Sequence, residues 1–216
     1  MKKGIRAMLL SAVFLLSVST NAFAAEITPF ADPVENITSE FSGKMRSNAA
    51  YIAYYAYTEK KYFGTYPLMT GEEFVAKVKS GAPWDYKLPY GYSKKWLFGG
   101  ITTTGEDLGN IHYGYVGRAA GFSELVLKSA AGAYQIYSGT YHVGWYNSYF
   151  DDPTDQAAIQ RGFNYWSNGN LPSSFTLTLQ RQELIDTLTQ EQKDEIEQSI
   201  KDKAEDLGLV SIEAEE

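Results

Sequence analysis

Three short clusters hold the polar residues that sit in aromatic or glycine-rich surroundings: Pro83-Trp84-Asp85-Tyr86-Lys87, Gly109 to Arg118, and Asp151-Asp152-Pro153-Thr154-Asp155-Gln156. His112, one of two histidines in the chain, is a natural general base, because a neutral imidazole near pH 7 can take a proton and a nearby carboxylate can fix its tautomer. A histidine that satisfies a buried carbonyl would leave the same trace. Asp151, Asp152 and Asp155 bring three carboxylates within five residues at an expected helix start. Such a group could bind a divalent cation through oxygen ligands, or lift one carboxyl into the acid/base range. Simple capping, with Asp152 as N-cap and Asp155 in the first turn, explains the same spacing. His142 has no partner pattern and is expected to be structural or exposed. Zinc held by histidine is not expected, since the sequence has no His-x-x-x-His pair and no cysteine.

These clusters need elements to position them. Asp32-Pro33 is expected to open a helix reaching Tyr57, with Val34, Ile37, Phe41, Met45, Ala49 and Ile52 at helical spacing. Thr70-Gly71-Glu72-Glu73 has the form of a capping box for a short helix containing Phe74, Val75 and Val78, ended by Ala82-Pro83. Trp84 to Lys87 is expected to be extended or a turn, and Gly99 to Gly105 a loop or short hairpin. Two helices follow, Asn110 to Ala120 and Ser123 to Tyr137, broken by Gly121 and with Ser123 as N-cap. On the first, Asn110, Gly114, Gly117 and Arg118 share a stripe whose glycines let a backbone or a substrate come close. Gly139 to Phe150 suggests a hairpin, Pro153 to Trp166 a helix, and Phe175 to Leu179 a strand. Gln180 to Leu207 carries the pattern of one or two amphipathic helices with a charged, solvated face.

The N-terminus has the form of a secretory leader. Lys2, Lys3 and Arg6 precede an apolar run from Ala7 to Val18, and Ala22-Phe23-Ala24 offers a cleavage site before Ala25. The run spans roughly 18 Å as a helix, short of the ~30 Å a membrane-spanning helix must cross, so no stable membrane insertion is expected after cleavage. Secretion of the processed chain is the expected localisation. Without cysteine, the fold holds by packing alone and thiol catalysis is excluded. The formal charge is −7, and it is unevenly spread: residues 176–216 hold 12 acids and 4 bases. No basic field of the kind that drives stable nucleic-acid binding is present in these totals.

The order and spelling of the clusters resemble the bacterial polymorphic toxin type 44 domain. The matching stretches are Pro83 to Lys87, Gly109 to Gly114 with Gly117 and Ala119-Ala120-Gly121, Leu127 with Ala131-Gly132, and Asp151-Asp152-Pro153 with Asp155-Gln156, Ile159 and Gly162. The resemblance covers roughly Phe74 to Trp166. It implies a toxin module used between competing bacteria, opposed by a cognate immunity protein, and a hydrolase, with RNase activity the common suggestion. Ile111 and Tyr115 depart from the pattern, leaving His112 in place with altered neighbours.

The expected fold is mainly α (α+β with minor β): one compact domain with a helical C-terminal appendage. Its parts are a signal peptide over 1–24, an N-terminal helical segment over 25–69, a toxin-44-like core over 70–175, and an acidic helical appendage over 176–216 that should be dispensable for the core. The function expected is a secreted toxin-like hydrolase. In it His112 acts as acid or base, Asp151, Asp152 and Asp155 orient it or hold a metal, and Lys87 and Arg118 stabilise developing negative charge. Asp85 completes the set, which is expected to converge on one pocket. A cell-envelope enzyme on peptidoglycan, working through paired carboxylates, and a non-catalytic secreted binding protein are the rival readings.

Overall fold

The computed structural model of the chain describes residues 33–140, 142–172 and 181–212. The leader, the start at Ala25 and the strand expected over Phe175 to Leu179 lie outside the described residues. Among those described, the architecture is mainly helical with one two-stranded antiparallel hairpin, as the residue patterns imply.

Helix α1 (Thr38–Tyr62) buries Phe41, Met45, Ala49, Ile52 and Tyr55 along the stripe that its spacing defines. It does not begin at Pro33. Residues 35–37 instead lie outside the helix and bridge strand β1 (Lys95–Phe98) through Asn36: Leu97 N–H donates to the Glu35 carbonyl at 2.8 Å and Ile37 N–H donates to the Leu97 carbonyl at 3.1 Å. Backbone groups engaged across the hairpin edge are unavailable for a helical turn.

Helix α2 (Leu68–Val78) also starts earlier than the Thr70 box suggests, and its cap comes from elsewhere. The fully buried Glu59 of α1 accepts from Met69 N–H at 3.0 Å, from Thr70 N–H at 2.7 Å and from the Thr70 hydroxyl at 2.6 Å. A carboxylate at a helix N-terminus satisfies the orphan donors and meets the positive end of the helix dipole. Trp84 to Tyr86 takes the turn that was one of the two expected forms, and Lys87 then opens α3 (Lys87–Tyr90), a single helical turn. Strand β1 then pairs with β2 (Ile101–Thr104) through a Gly99-Gly100 turn in which both residues have positive φ.

Helix α4 (Gly105–Ala120) is the hub, packed on α1, α3 and α6 (Pro153–Ser167). Its true start is five residues before Asn110: Thr104 and Asp107 form a reciprocal capping box, and Gly121 closes the helix at φ +100°. Gly114 and Gly162 sit at the crossing with α6. A Cβ on Gly114 would run into the Ile159 carbonyl, and one on Gly162 into the Ile111 carbonyl. Of the two glycines in the expected α4 stripe, Gly114 thus admits another backbone, while Gly117 makes room for the Leu127 side chain. Helix α5 (Glu124–Ser138) starts on Ser123, whose hydroxyl accepts from Val126 N–H. Beyond it Val143–Ser148 is a 3₁₀ helix where a hairpin was expected. His142 is the reason: its Nδ1 accepts from Gly144 N–H at 3.1 Å and sets a local turn in place of cross-strand pairing.

The acidic segment forms α7 (Arg181–Asp186) and α8 (Gln190–Asp206). Both lie against α1. Leu184, Ile185, Ile196, Ile200 and Ala204 enter the same buried cluster as Phe41 and Ile52, while the acids stay outward. No described helix is long and apolar enough to cross a membrane.

Candidate active site

With α4 starting at Gly105, the residues at i, i+3, i+4 and i+7 from Glu106 are Gly109, Asn110 and Tyr113, one stripe of the helix. All four line a cleft of about 920 Å³ bounded by α2, α4, α5 and the starts of α3 and α6. Asp85 and Lys87 enter it from the turn before α3 and from α3 itself, Asp151 and Asp155 from the start of α6. Its walls are largely apolar, with Phe74, Val78, Trp84, Phe122 and Val126 among them. A second pocket of about 440 Å³ continues past Glu106, Gln135, Thr140 and Asp155, which line both. Asp155 thus stands at the junction of two connected depressions.

Asp155 is 9% exposed, and its Oδ1 accepts from Asn110 Nδ2 at 2.7 Å. Burial pushes its carboxyl up to about 6. The Lys87 charge opposes that shift, and Glu106, Asp151 and Asp152 reinforce it. Asp151, 2% exposed, accepts from Gln156 Nε2 at 2.7 Å and is also raised, first by burial. Lys87 lies 3.9 Å from Glu106, and its stem crosses α4 over Gly109, where a Cβ would come 2.7 Å from Lys87 Cγ. A glycine there is what lets the cation reach the carboxylates.

The other expected site residues go elsewhere. His112 lies two positions beyond Asn110, about 200° around the helix, and is fully buried on the side facing α1. Its Nε2 meets Asn48 Nδ2 at 3.0 Å, its ring packs against Tyr86, Trp84 and Phe41, and burial drives its pKa down to about 3. His112 does not line the cleft, so the expected convergence of His112 with the aspartates is not what the geometry gives. Asp152 caps α6, accepting from Thr154 N–H at 2.7 Å, and faces only the second pocket. Arg118, at the far end of α4, donates to the Phe122 carbonyl at 2.7 Å. Asp85 lines the cleft but also holds its own turn by accepting from Gly81 N–H at 2.9 Å.

The three aspartates expected to share a divalent cation are each turned to a different partner. Among the described residues no group of three or more His, Cys, Asp or Glu is placed to hold a metal ion. Asn110, Glu106 and Tyr113 are the cleft residues that the motif reading left out of its site. The signal was present in the Thr104-x-x-Asp107 box, which fixes the helix start and so the phase of the stripe.

The fold and cleft define a small helical domain built around a carboxylate–lysine centre in a long groove. Residues 73–168, which contain every cleft residue named from Phe74 to Asp155, match the family model of bacterial toxin 44. The resemblance seen in the motifs is thereby met over that segment, and the chain carries a stretch similar to a bacterial toxin domain. No curated protein and no solved structure matches the chain.

Proposed function

We propose that this chain is a toxin-like hydrolase whose proton-transfer group is Asp155. The observation that carries the reading is a single buried carboxyl, held near a pKa of 6, oriented by Asn110 and countered by Lys87 at the junction of two pockets. Titratable groups shifted by burial and a specific charge partner in a cleft mark functional sites. Near neutral pH Asp155 is mostly ionised and acts as general base, taking a proton from the attacking hydroxyl or water and, as the acid so formed, returning it to the oxygen that leaves as the bond breaks. Lys87 offsets the negative charge that develops as the bond breaks. Asn110 positions the carboxylate, and Asp151 keeps its basicity up by adding negative charge nearby. Export by the leader, use against competing bacteria and neutralisation by a cognate immunity protein that blocks the cleft belong to the same reading.

The test is growth of a bacterial host expressing the chain with and without its leader. Arrest should appear in one of the two compartments and disappear in Asp155→Asn and Lys87→Met, with both variants accumulating as folded protein. Arrest by Asp155→Asn equal to that of the unmodified chain overturns the assignment.

A further inference from the structure

Between Lys128 and Asp151 the chain runs 22 residues without an Asp, Glu, Lys or Arg, and seven of the 22 are Tyr, Trp or Phe. In a sequence that is 21% charged, that gap is the longest change of character outside the leader. It falls on the C-terminal half of α5 and on the 3₁₀ helix after it. The two are pressed together at Gly132, where a Cβ would collide with the Tyr149 carbonyl. Tyr149 and Phe150 both take positive φ (59° and 67°) to complete the turn, a conformation that residues with a Cβ adopt only when their surroundings impose it.

The surface so built is exposed rather than buried. Tyr134, Ile136, Tyr137, Val143 and Tyr146 are 48% to 88% exposed. It is also continuous with the cleft. Tyr134, Gln135, Ser138 and Thr140 line the large pocket, and Gln135, Thr140 and Trp145 line the smaller one beyond Asp155. Tyr137 stands one turn from Tyr134 on the same side of α5. Together the two pockets present six carboxylates (Asp85, Glu106, Asp107, Asp151, Asp152, Asp155) and two lysines (Lys79, Lys87).

That arrangement selects the chemistry of its ligand. A polyanion would bring its phosphates against an excess of carboxylates with too few cations to release its counterions, and an anionic lipid surface meets the same repulsion. The exposed Tyr rings and the half-buried Trp145 offer apolar faces and hydroxyl or N–H edges at small entropic cost, which suits an uncharged chain with alternating C–H faces and hydroxyls. Depressions on both sides of Asp155 suit a polymer that passes across it. Apolar side chains such as Val78, Phe122 and Val126 suit acetyl methyl groups.

We propose that the α5 and 3₁₀ aromatic face and the two pockets are subsites for a neutral, N-acetylated polysaccharide of the cell-wall type, drawn across Asp155. This names the substrate class of the site and rests on the hydrolase reading above.

The experiment is titration of the full chain with chitohexaose, read by quenching of tryptophan fluorescence, Trp84 and Trp145 lying in the two pockets. A single-stranded RNA hexamer is titrated in parallel at two salt concentrations, and reducing-end release is assayed on the same glycan. Saturable, salt-insensitive binding of chitohexaose is expected. It should weaken roughly tenfold in Tyr134→Ala combined with Tyr137→Ala, and again in Trp145→Ala, with melting temperatures preserved. Asp155→Asn should bind the glycan as well as the unmodified chain does and release no reducing ends. Glycan binding without cleavage by the unmodified chain leaves the subsites standing and overturns the hydrolase reading. Salt-dependent RNA binding with no response to chitohexaose overturns the glycan proposal and leaves the Asp155 chemistry to be tested on RNA. Glycan binding untouched by the aromatic substitutions overturns the assignment of this face.

Discussion

The Asn110 side-chain amide donates a 2.7 Å hydrogen bond to Asp155, joining α4 to the first turn of α6 across 45 residues of sequence. The carboxylate it orients is buried, and its folded-state pKa of about 6 lies above the ordinary value of about 3.9. A raised folded-state pKa contributes stability that is complete below pH ~4 and is lost as pH rises through 6. Asp155→Asn should therefore stabilise the protein at pH 8, by on the order of 2–3 kcal/mol, seen as a higher melting temperature. At pH 4, where the native carboxyl is already neutral, it should change the melting temperature little. Toxicity should vanish at the same time. Calorimetry across this range checks the sign, and a loss of stability at pH 8 would contradict it.

His112 carries the opposite dependence. Its folded-state pKa of about 3 lies below the ordinary 6.5, so the stability it contributes is full above pH 6.5 and drains away as pH falls toward 3. At pH 5 the deficit amounts to about 2 kcal/mol. His112→Gln, which cannot titrate, should flatten the fall in urea midpoint between pH 6.5 and 5 while keeping the host growth arrest. A variant that melts normally at pH 7.5 yet has lost all toxicity would give His112 a chemical role.

The crossing of α4 and α6 depends on two missing side chains. Gly114→Ala and Gly162→Ala each force a methyl against a carbonyl of the facing helix, and such overpacking costs about 1–3 kcal/mol. Gly43→Ala, on an exposed part of α1 with open space around its Cβ position, should be neutral or stabilising by up to about 1 kcal/mol. Equilibrium unfolding of the three variants separates a packing requirement from a general intolerance of alanine.

Removal of residues 181–216 should be costly, although the acidity of the segment suggests an appendage. Leu184, Ile185, Ile196 and Ile200 are buried against the body of the protein, and each is worth about 1.5–3 kcal/mol. Their sum is comparable with the whole stability of a small domain, about 5–15 kcal/mol. The truncated chain should lose its cooperative thermal transition. A sharp transition within a few degrees of the full chain would show that the acidic helices are indeed dispensable.

Much of this was legible in the residues. Ser123 and Asp152-Pro153 open α5 and α6 where their types say they should, because a cap is chemistry between neighbours in sequence. The apolar stripe from Phe41 to Ile52 and the break at Gly121 are likewise local. Asp85, Lys87, Asp151 and Asp155 stand out as polar residues in apolar company, and they do line one cleft.

Other features were decided between elements far apart in the chain. Glu59 caps a helix that begins nine positions later, at Leu68, so nothing within α2 announces its start. Residues 35–37 prefer an edge of β1 to the helical turn that Asp32-Pro33 suggests. The separation of His112 from Asp155 turns on phase: two residues along a helix rotate a side chain by about 200°. Composition places both residues near the same motifs, but only the packing of α4 between α1 and α6 assigns one to the core and the other to the cleft.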